Sequence, residues 1–310
     1  MKSIKKAIVT GATGVVGTAL IKELVAQNIE TLVLTRKDGR IDKIPVHPLV
    51  KIESCSLEEL SDFSITDEKY DVFFHLGWAG TYGTERNDLK KQELNIQYTL
   101  DAVNLAHRAG CKAFIGAGSQ AENGTLEYGQ KVSSDSPENP VSSYGKAKLK
   151  ASKESCRLCK ETGLRHNWCR LLSVYGPGDA PYTMVMSTLI KMLRNEDCNF
   201  TPAEQQWDYV YSGDVAKALL AIAENGTDGT IYPIGSGRTK LLKDYILEMA
   251  EVTGTKSKRK FGAIDYYPDQ TMYLCADIGN LISDTGFVPE TKFTDGIKET
   301  INYIKENNLV

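Results

Sequence analysis

Tyr144 and Lys148 lie four positions apart in VSSYGKAKLK, a segment with a helical pattern. Side chains with this spacing share one face of a helix and lie next to each other. A free tyrosine has a pKa of about 10 and is a weak acid near neutral pH, but a neighbouring ammonium stabilises the phenolate and lowers that pKa. The pair therefore predicts a proton donor suited to a carbonyl oxygen whose carbon is being reduced by hydride.

Ser119 is a candidate for a second hydrogen-bond donor to the carbonyl. Ser119 ends KAFIGAGS, an apolar run typical of a buried strand, and its hydroxyl is suited to hydrogen-bond the carbonyl and fix its direction. On their own, a tyrosine and a lysine on a helix are an ordinary exposed pair. Because this serine and a glycine-rich turn accompany them, we predict that Ser119, Tyr144 and Lys148 are the catalytic residues.

The glycine-rich turn is GATGVVG, between the strand-like IKKAIVT and the helical VVGTAL. Gly11 allows the tight turn, Gly14 lets the backbone approach a pyrophosphate, and Gly17 lets the helix pack close to the sheet. The N-terminus of the helix attracts the phosphates. The turn therefore predicts a dinucleotide site, in which Lys148 also holds the ribose of the nicotinamide half. Apart from two cations that follow the second strand-like run, the predicted cofactor contacts are Gly11, Thr13, Gly14, Val15, Val16, Gly17, Leu76, Tyr144 and Lys148.

The second strand-like run, TLVLT, is followed by Arg36 and Lys37. An acidic residue about 20 positions after the turn holds the ribose 2′-hydroxyl of NAD, whereas a guanidinium suits the 2′-phosphate of NADP. Arg36 and Lys37 therefore favour NADP. NAD is the alternative because Asp38 follows directly, and two solvated turn charges are the other interpretation of the cations.

Composition excludes several classes of protein. The chain has 310 residues, of which 41% are hydrophobic and 25% charged, with a net charge of -3. These values are typical of a globular protein with neither nucleic acid nor a membrane as partner. No apolar run approaches the about 18 residues of a spanning helix, and the short apolar stretch after the basic N-terminus indicates a first strand, so we expect a cytoplasmic protein. The seven cysteines and four histidines lack metal-ligand spacing, which predicts free thiols and no metal.

Apolar strand-like runs alternate with amphipathic helical stretches through the first two thirds of the chain. This alternation predicts an α/β fold, a Rossmann-like doubly wound parallel sheet with helices on both faces, which binds ligands at the carboxyl ends of its strands. We predict an NAD(P)-binding domain at residues 1–174, to which 207–236 contribute. Residues 175–206 and 237–310 form the predicted smaller α/β substrate lobe.

Longer segments carry a resemblance to a known family. They are GATGVVG, FFHLGWAG, FIGAGSQAENG, SSYGKAKLK, CRLLSVYGPGD, EQQWDYVYSGDVAKAL, FGAIDYYPDQTMYL and ADIGNLISDTGFVPETKFTDGIKETI. In this order they resemble an extended short-chain dehydrogenase/reductase of the nucleotide-sugar epimerase, dehydratase and reductase group, over nearly the whole chain. Within this group the chain is most similar to 4-keto-6-deoxyhexose reductases and epimerases.

The resemblance implies a nucleotide-sugar substrate and assigns the family's catalytic serine, tyrosine and lysine to Ser119, Tyr144 and Lys148. It also implies a homodimer formed through two long helices, near 85–109 and 143–162. The residues that we expect to contact the substrate are Trp78, Ser119, Gln120, Tyr144, Ser173, Tyr175 and Trp207.

Two arginines with which this family commonly binds the substrate diphosphate are absent from their usual places. One place lies in the segment QWD at residues 206–208, and the other is Tyr267. Without these two bidentate donors the usual diphosphate clamp is lost. Four cations are candidates to replace it, and the sequence does not choose among Lys191, Arg194, Arg238 and Lys260.

Together, the residues and the resemblance predict NADPH-dependent reduction of the 4-keto group of a nucleotide-diphosphate 6-deoxyhexose, in deoxysugar biosynthesis for surface polysaccharide. One alternative is an NAD-dependent 4-epimerase, which oxidises and re-reduces the same carbon with the same three residues. The other is a non-catalytic NADP-binding sensor that keeps the fold, which the missing arginines permit.

Overall fold

The computed structural model describes residues 4–65, 69–268 and 270–310. Its strands are β1 Lys6–Thr10, β2 Glu30–Thr35, β3 Val50–Ser54, β4 Val72–His75, β5 Ala113–Ser119, β6 Arg165–Leu171, β7 Ser173–Tyr175, β8 Cys198–Phe200, β9 Gln206–Trp207, β10 Tyr209–Tyr211, β11 Ile231–Ile234, β12 Lys240–Leu241 and β13 Arg259–Phe261. Its α-helices are α1 Val15–Ala26, α2 Leu89–Arg108, α3 Ser143–Thr162, α4 Met184–Leu193, α5 Ser212–Asn225, α6 Leu242–Thr253, α7 Gly279–Thr285 and α8 Phe293–Glu306. Short 3-10 helices span Ile41–Lys43, Leu57–Glu59, Gly83–Asn87 and Gln120–Glu122.

Seven parallel strands form one sheet in the order β11-β6-β5-β4-β1-β2-β3. The chain begins near the centre with β1 and runs outward to β3. It then crosses to β4 and runs outward in the other direction, to β11. This change of direction opens a crevice between β1 and β4 at the carboxyl edge of the sheet, where such folds bind their ligands. The predicted Rossmann-like doubly wound parallel sheet is confirmed.

Both faces of the sheet are covered at its central strands, which explains why β4 and β5 are nearly continuous apolar runs, whereas the edge strand β3 is largely exposed. On one face, Val9 and Phe74 belong to a core that includes helices α1 and α5. Their neighbours Ile8 and Phe73 point to the opposite face, into a core with α2 and α3. Because side chains alternate along a strand, the residue that ends each strand is held in a fixed direction at the carboxyl edge.

A further core lies among helices α4, α6 and α8. Met186 from α4, Met249 from α6 and Ile301 from α8 are buried in it. The paired strands β8 and β13 border this core, whereas α5 and β11 belong to the first core although they come late in the chain. In the described part of the chain, no helix combines the length and the apolar character needed to cross a membrane.

Candidate active site

The three predicted catalytic side chains meet at the carboxyl edge of the sheet. Ser119 ends β5, and Tyr144 and Lys148 lie in the first two turns of α3, whose N-terminus is capped by the Ser142 hydroxyl, which accepts the N–H of Gly145 at 3.1 Å. All three catalytic candidates line one cavity of about 670 Å³. Tyr144 and Lys148 are only 8% and 4% exposed, so the site holds them in a largely dry environment.

Ser119 is oriented by a capping box with Glu122. The Ser119 hydroxyl accepts the backbone N–H of Ala121 at 3.2 Å and that of Glu122, and the Glu122 carboxylate accepts the backbone N–H of Ser119 at 2.8 Å. Since the hydroxyl oxygen is occupied as an acceptor, its hydrogen is left to donate into the cavity. The sequence carried a signal for this arrangement, because Ser-x-x-Glu is the capping-box pattern, yet sequence reasoning missed Glu122.

Glu122 belongs to a buried network of charges behind the cavity. Its carboxylate accepts hydrogen bonds from the indole N–H of Trp168 at 2.9 Å and from Nε of Arg170 at 2.7 Å. Arg170 is completely buried and also donates from Nη2 to Glu138 at 2.9 Å, which pairs with Lys153 at 2.6 Å. A buried charge persists only when it is paired, so this network fixes Glu122, and through it Ser119, in place.

The ammonium of Lys148 points between the sheet and an indole ring. Its Nζ donates to the Ala117 carbonyl at 2.6 Å and lies 3.7 Å from the ring centroid of Trp78. Burial lowers the pKa of Lys148 to about 7, whereas the Glu122 carboxylate acts to raise it. Trp78 is held by a hydrogen bond of 2.8 Å from its Nε1 to Gln92, so the ring that faces Lys148 is fixed.

Tyr144 lies under a second cation. The guanidinium carbon of Arg86, in the 3-10 helix Gly83–Asn87, is 4.2 Å from the centroid of the Tyr144 ring. Burial raises the pKa of Tyr144, while a hydrogen bond with Ser119 and the charge of Arg86 act to lower it. Sequence reasoning did not select Arg86, because nothing in its segment indicates that the chain turns back over α3.

The glycine-rich turn fits a pyrophosphate. Gly11 has a φ of +72°, and a Cβ on it would lie 2.5 Å from the N of Gly77. A Cβ on Gly17 would lie 2.2 Å from the carbonyl oxygen of Gly11, whereas a Cβ on Gly14 would meet its nearest neighbour at 3.6 Å. Gly14 is the N-cap of α1 and supplies no side-chain cap, so N–H groups in the first turn of the helix stay available to an anion. The residues of this turn thus fit the phosphates of a dinucleotide, and Gly11, Thr13, Gly14, Val15, Val16, Gly17 and Leu76 all line the cavity.

The two cations predicted to select NADP lie apart from this cavity. The Arg36 side chain is 70% exposed and its Nε lies 3.7 Å from Asp38, and neither Arg36 nor Lys37 lines the cavity. The turn after β2 carries them outward and brings Arg40 to the cavity wall instead. Arg40 was missed because its position depends on the course of this turn, which the sequence alone does not give.

Four of the predicted substrate contacts that are not catalytic candidates line the cavity, namely Trp78, Gln120, Ser173 and Trp207. Tyr175 does not line the cavity. Tyr175 is 1% exposed, belongs to the core of α4, α6 and α8, and donates from its hydroxyl to the Phe293 carbonyl at 3.2 Å. Tyr175 ends β7, which pairs with β10 and not with the seven-stranded sheet.

None of the four candidates to replace the missing arginines lines the cavity. Arg194 donates to the Leu309 carbonyl, Arg238 to the Pro289 carbonyl, and Lys260 pairs with Asp197. The cationic side chains in the cavity wall are Arg40, Arg86 and Lys148. Asp208 is buried and accepts backbone N–H groups, among them that of Ser236 at 2.7 Å, so it braces the loop after β11.

Comparison with known proteins places this chain among relatives of similar length. CDP-abequose synthase of Salmonella muenchen is 24% identical over 301 residues, which cover 96% of this chain and 97% of that protein. A putative UDP-glucose 4-epimerase of Methanocaldococcus jannaschii is 25% identical over 312 residues, which cover 97% and 99%. The crystal structure of UDP-glucose 4-epimerase with UDP-glucose from Thermotoga maritima matches with a TM-score of 0.87 at 22% identity, over 98% of this chain and 99% of that one.

A second solved structure, UDP-glucuronic acid 4-epimerase from Bacillus cereus in complex with NAD, matches with a TM-score of 0.82 at 21% identity, over 97% of this chain and 99% of that one. At these identities the structures establish a shared fold. The family model itself covers residues 7–235, well over half of the chain. As the resemblance predicted, this protein belongs to the NAD dependent epimerase/dehydratase family.

Proposed function

We propose that this protein reduces the 4-keto group of a nucleotide-diphosphate 6-deoxyhexose with NADPH. One observation carries the proposal: Ser119, Tyr144 and Lys148 line the same cavity as the glycine-rich turn. A proton donor, a polarising hydroxyl and a phosphate cradle are the parts that a carbonyl reductase needs. The similarity to CDP-abequose synthase over nearly the full length of both chains supports a nucleotide sugar as substrate.

In this proposal the chain's own residues handle the carbonyl oxygen. Bound NADPH supplies the hydride to the keto carbon. The Ser119 hydroxyl, whose oxygen already accepts backbone N–H groups, donates its hydrogen to the keto oxygen and fixes its direction. Tyr144 gives that oxygen its proton, and Lys148 favours the resulting phenolate and holds the ribose of the cofactor.

The choice of NADP rests on positive charge at the end of β2. Arg36 and Lys37 follow this strand, and Arg40 lines the cavity four residues later. The one acidic residue among them, Asp38, lies beside Arg36. A guanidinium in this region supports binding of a 2′-phosphate.

The proposal includes the two predicted lobes and a homodimer. The core of α1 and α5 on the sheet supports an NAD(P)-binding domain at 1–174 with 207–236, and the core of α4, α6 and α8 supports a substrate lobe at 175–206 and 237–310. Exposed apolar side chains on α2, Leu89 at 66% and Leu94 at 45%, support a homodimer through the long helices.

Consumption of NADPH tests the proposed reaction. CDP-, dTDP- and UDP-4-keto-6-deoxyglucose are offered separately, with NADH as the control cofactor, and the loss of reduced-nicotinamide absorbance is followed. We expect turnover with one of these sugars, faster with NADPH than with NADH, and none with the Tyr144→Phe variant. Failure of all three sugars would contradict the proposed reaction.

An NAD-dependent 4-epimerase is the second candidate, and two observations favour it. Arg36 and Lys37 do not line the cavity, and the solved structures of similar fold include 4-epimerases, one of them in complex with NAD. An epimerase returns the hydride to the carbon that gave it and keeps its cofactor. Tightly bound NAD in the purified protein, together with interconversion of two nucleotide sugars that differ at C4, would replace our first proposal by this one.

A further inference from the structure

Arg86 is a cation in the cavity wall that the reaction as proposed does not use. It lies in the 3-10 helix Gly83–Asn87, in the connection from β4 to α2, and its Nη1 donates to the Thr81 carbonyl at 3.3 Å. The carboxylate next to it in the chain, Glu85, pairs with Lys91. The Arg86 charge is therefore directed to the Tyr144 ring, 4.2 Å from its guanidinium carbon.

Arg86 is closer to this ring than Lys148, to which the proposed reaction gives the role of favouring the phenolate. The Nζ of Lys148 lies 5.9 Å from the Tyr144 centroid and is occupied by the Ala117 carbonyl and the Trp78 ring. Burial lowers the pKa of Lys148, so this ammonium loses its proton more readily than that of an exposed lysine. A guanidinium stays protonated in proteins.

We propose that Arg86 is a positioning residue of this site, whose guanidinium stabilises the phenolate of Tyr144 through the face of its ring and so makes Tyr144 a stronger acid. A cation over an aromatic face is attracted by the electron density of the ring, and that density is greater in a phenolate than in a phenol. The guanidinium therefore favours the deprotonated form. This inference deepens the proposed reaction and rests on it for the effect on turnover.

Of the other groups around Tyr144, some raise its pKa and others lower it. The Ser119 hydroxyl favours the phenolate by a hydrogen bond, while burial and the Glu122 carboxylate oppose it. Lys148 faces the ring from the next turn of α3, and Tyr82 adds an uncharged phenol. Arg86 is thus the permanent positive charge that offsets burial at this phenol.

Fluorine NMR tests the inference without any turnover. The protein is produced with 3-fluorotyrosine, and the resonance that disappears in Tyr144→Phe identifies Tyr144. We expect Arg86→Met to move the titration midpoint of this resonance upward by about half a unit to one unit, and Arg86→Lys to keep most of the wild-type position. The matched control is Arg40→Met, which removes an equal charge from the same cavity wall. An unchanged midpoint in Arg86→Met, or an equal shift in Arg40→Met, would overturn the proposal.

The pH profile of turnover supplies a second readout. Because a weaker acid protonates the carbonyl oxygen less well, we expect kcat of Arg86→Met to fall about three- to tenfold and its basic limb to move to higher pH, with Arg86→Lys restoring both. A purely structural role would lower kcat without moving the limb, and that result would count against the proposal. If wild-type protein turns over none of the three keto sugars, the proposed reaction fails, while the NMR midpoint still decides the role of Arg86.

Discussion

The Glu122 carboxylate accepts the backbone N–H of Ser119 at 2.8 Å, while the Ser119 hydroxyl accepts the backbone N–H of Glu122. These reciprocal bonds close the end of β5 into a rigid turn. They fix the serine oxygen at the cavity and direct its hydrogen towards the side where Tyr144 lies. The direction of the predicted polarising hydroxyl is thus set by a residue that never reaches the cavity wall.

We expect Glu122→Gln to lower the free energy of unfolding by about 3 kcal/mol, because the completely buried Arg170 loses the charge that faces its Nε. Urea denaturation measures the change. The matched control is Glu138→Gln, which removes the other partner of Arg170 at a position 29% exposed, where we expect about 1 kcal/mol or less. Equal losses in the two variants would show that burial does not set the cost.

Tyr144→Phe should reduce kcat by about two to four orders of magnitude, since it removes the proton donor and leaves the shape of the side chain unchanged. The control is Tyr175→Phe, which removes the hydroxyl that donates to the Phe293 carbonyl beside the core of α4, α6 and α8. We expect this control to keep wild-type kcat and to lose about 1 kcal/mol of stability. Turnover is measured by NADPH consumption and stability by urea denaturation. A large loss of kcat in the control would return Tyr175 to the substrate site.

The pKa of Lys148 links stability to pH. Folding lowers this pKa from its ordinary value of 10.5 to about 7, so the unfolded chain binds more protons than the folded one between these two values. The cost of burying the ammonium is fully present below pH 7 and disappears as the pH rises towards the unfolded pKa. We therefore expect Lys148→Met to stabilise the protein by about 2 kcal/mol at pH 6 and by much less at pH 9.

Urea denaturation of Lys148→Met at these two pH values measures the difference. The control is Lys146→Met, which removes a lysine with an exposed side chain from the same helix. The same substitution of Lys148 should abolish turnover, so that stability and activity change in opposite directions. A difference from wild type that is the same at both pH values would contradict the lowered pKa.

The parts of the site that follow local patterns could be predicted from the sequence. Tyr144 and Lys148 share a helix face, and the glycine-rich turn lies between a strand and a helix, so the combination of these local patterns identified them. Strands such as β4 and β5 could be predicted for a similar reason, because each is a short apolar run. These features depend on neighbours within a few positions of each other.

The remaining parts depend on contacts between distant segments. Arg170 meets Glu122 because β6 pairs with β5 in a register that places Arg170 beside Gly118. A Cβ on Gly118 would lie 2.6 Å from Oε1 of Glu122, so the absence of a side chain there makes room for the carboxylate. Likewise, the positions of Arg86 and Arg40 are set by the course of irregular segments. Neither a register nor the course of a turn has a periodic signal in the sequence.

Gly14→Ala and Gly17→Ala should separate cofactor binding from folding. A Cβ on Gly14 would meet its nearest neighbour at an ordinary 3.6 Å, so we expect stability to change by less than about 1 kcal/mol. The added methyl group would stand where a pyrophosphate approaches, and the Kd for NADPH should rise about tenfold or more.

Gly17→Ala should instead destabilise the fold, because its Cβ would lie 2.2 Å from the Gly11 carbonyl oxygen. Thermal unfolding and NADPH titration measure the two effects. Unchanged NADPH affinity in Gly14→Ala would place the phosphates elsewhere in the cavity.

Arg40→Ala should lower the preference for NADPH over NADH about tenfold, whereas Arg36→Ala should change it little. Arg40 lines the cavity that contains the glycine-rich turn, while Arg36 is 70% exposed beside Asp38. Each variant removes one guanidinium from the same connection after β2, so each is the control for the other. The ratio of kcat/KM for the two cofactors is the measurement.

The opposite result, with the larger effect in Arg36→Ala, would mean that this connection changes its course when the cofactor binds, because only then does Arg36 reach a 2′-phosphate. No effect in either variant would remove the electrostatic basis for NADP and favour the NAD-dependent epimerase.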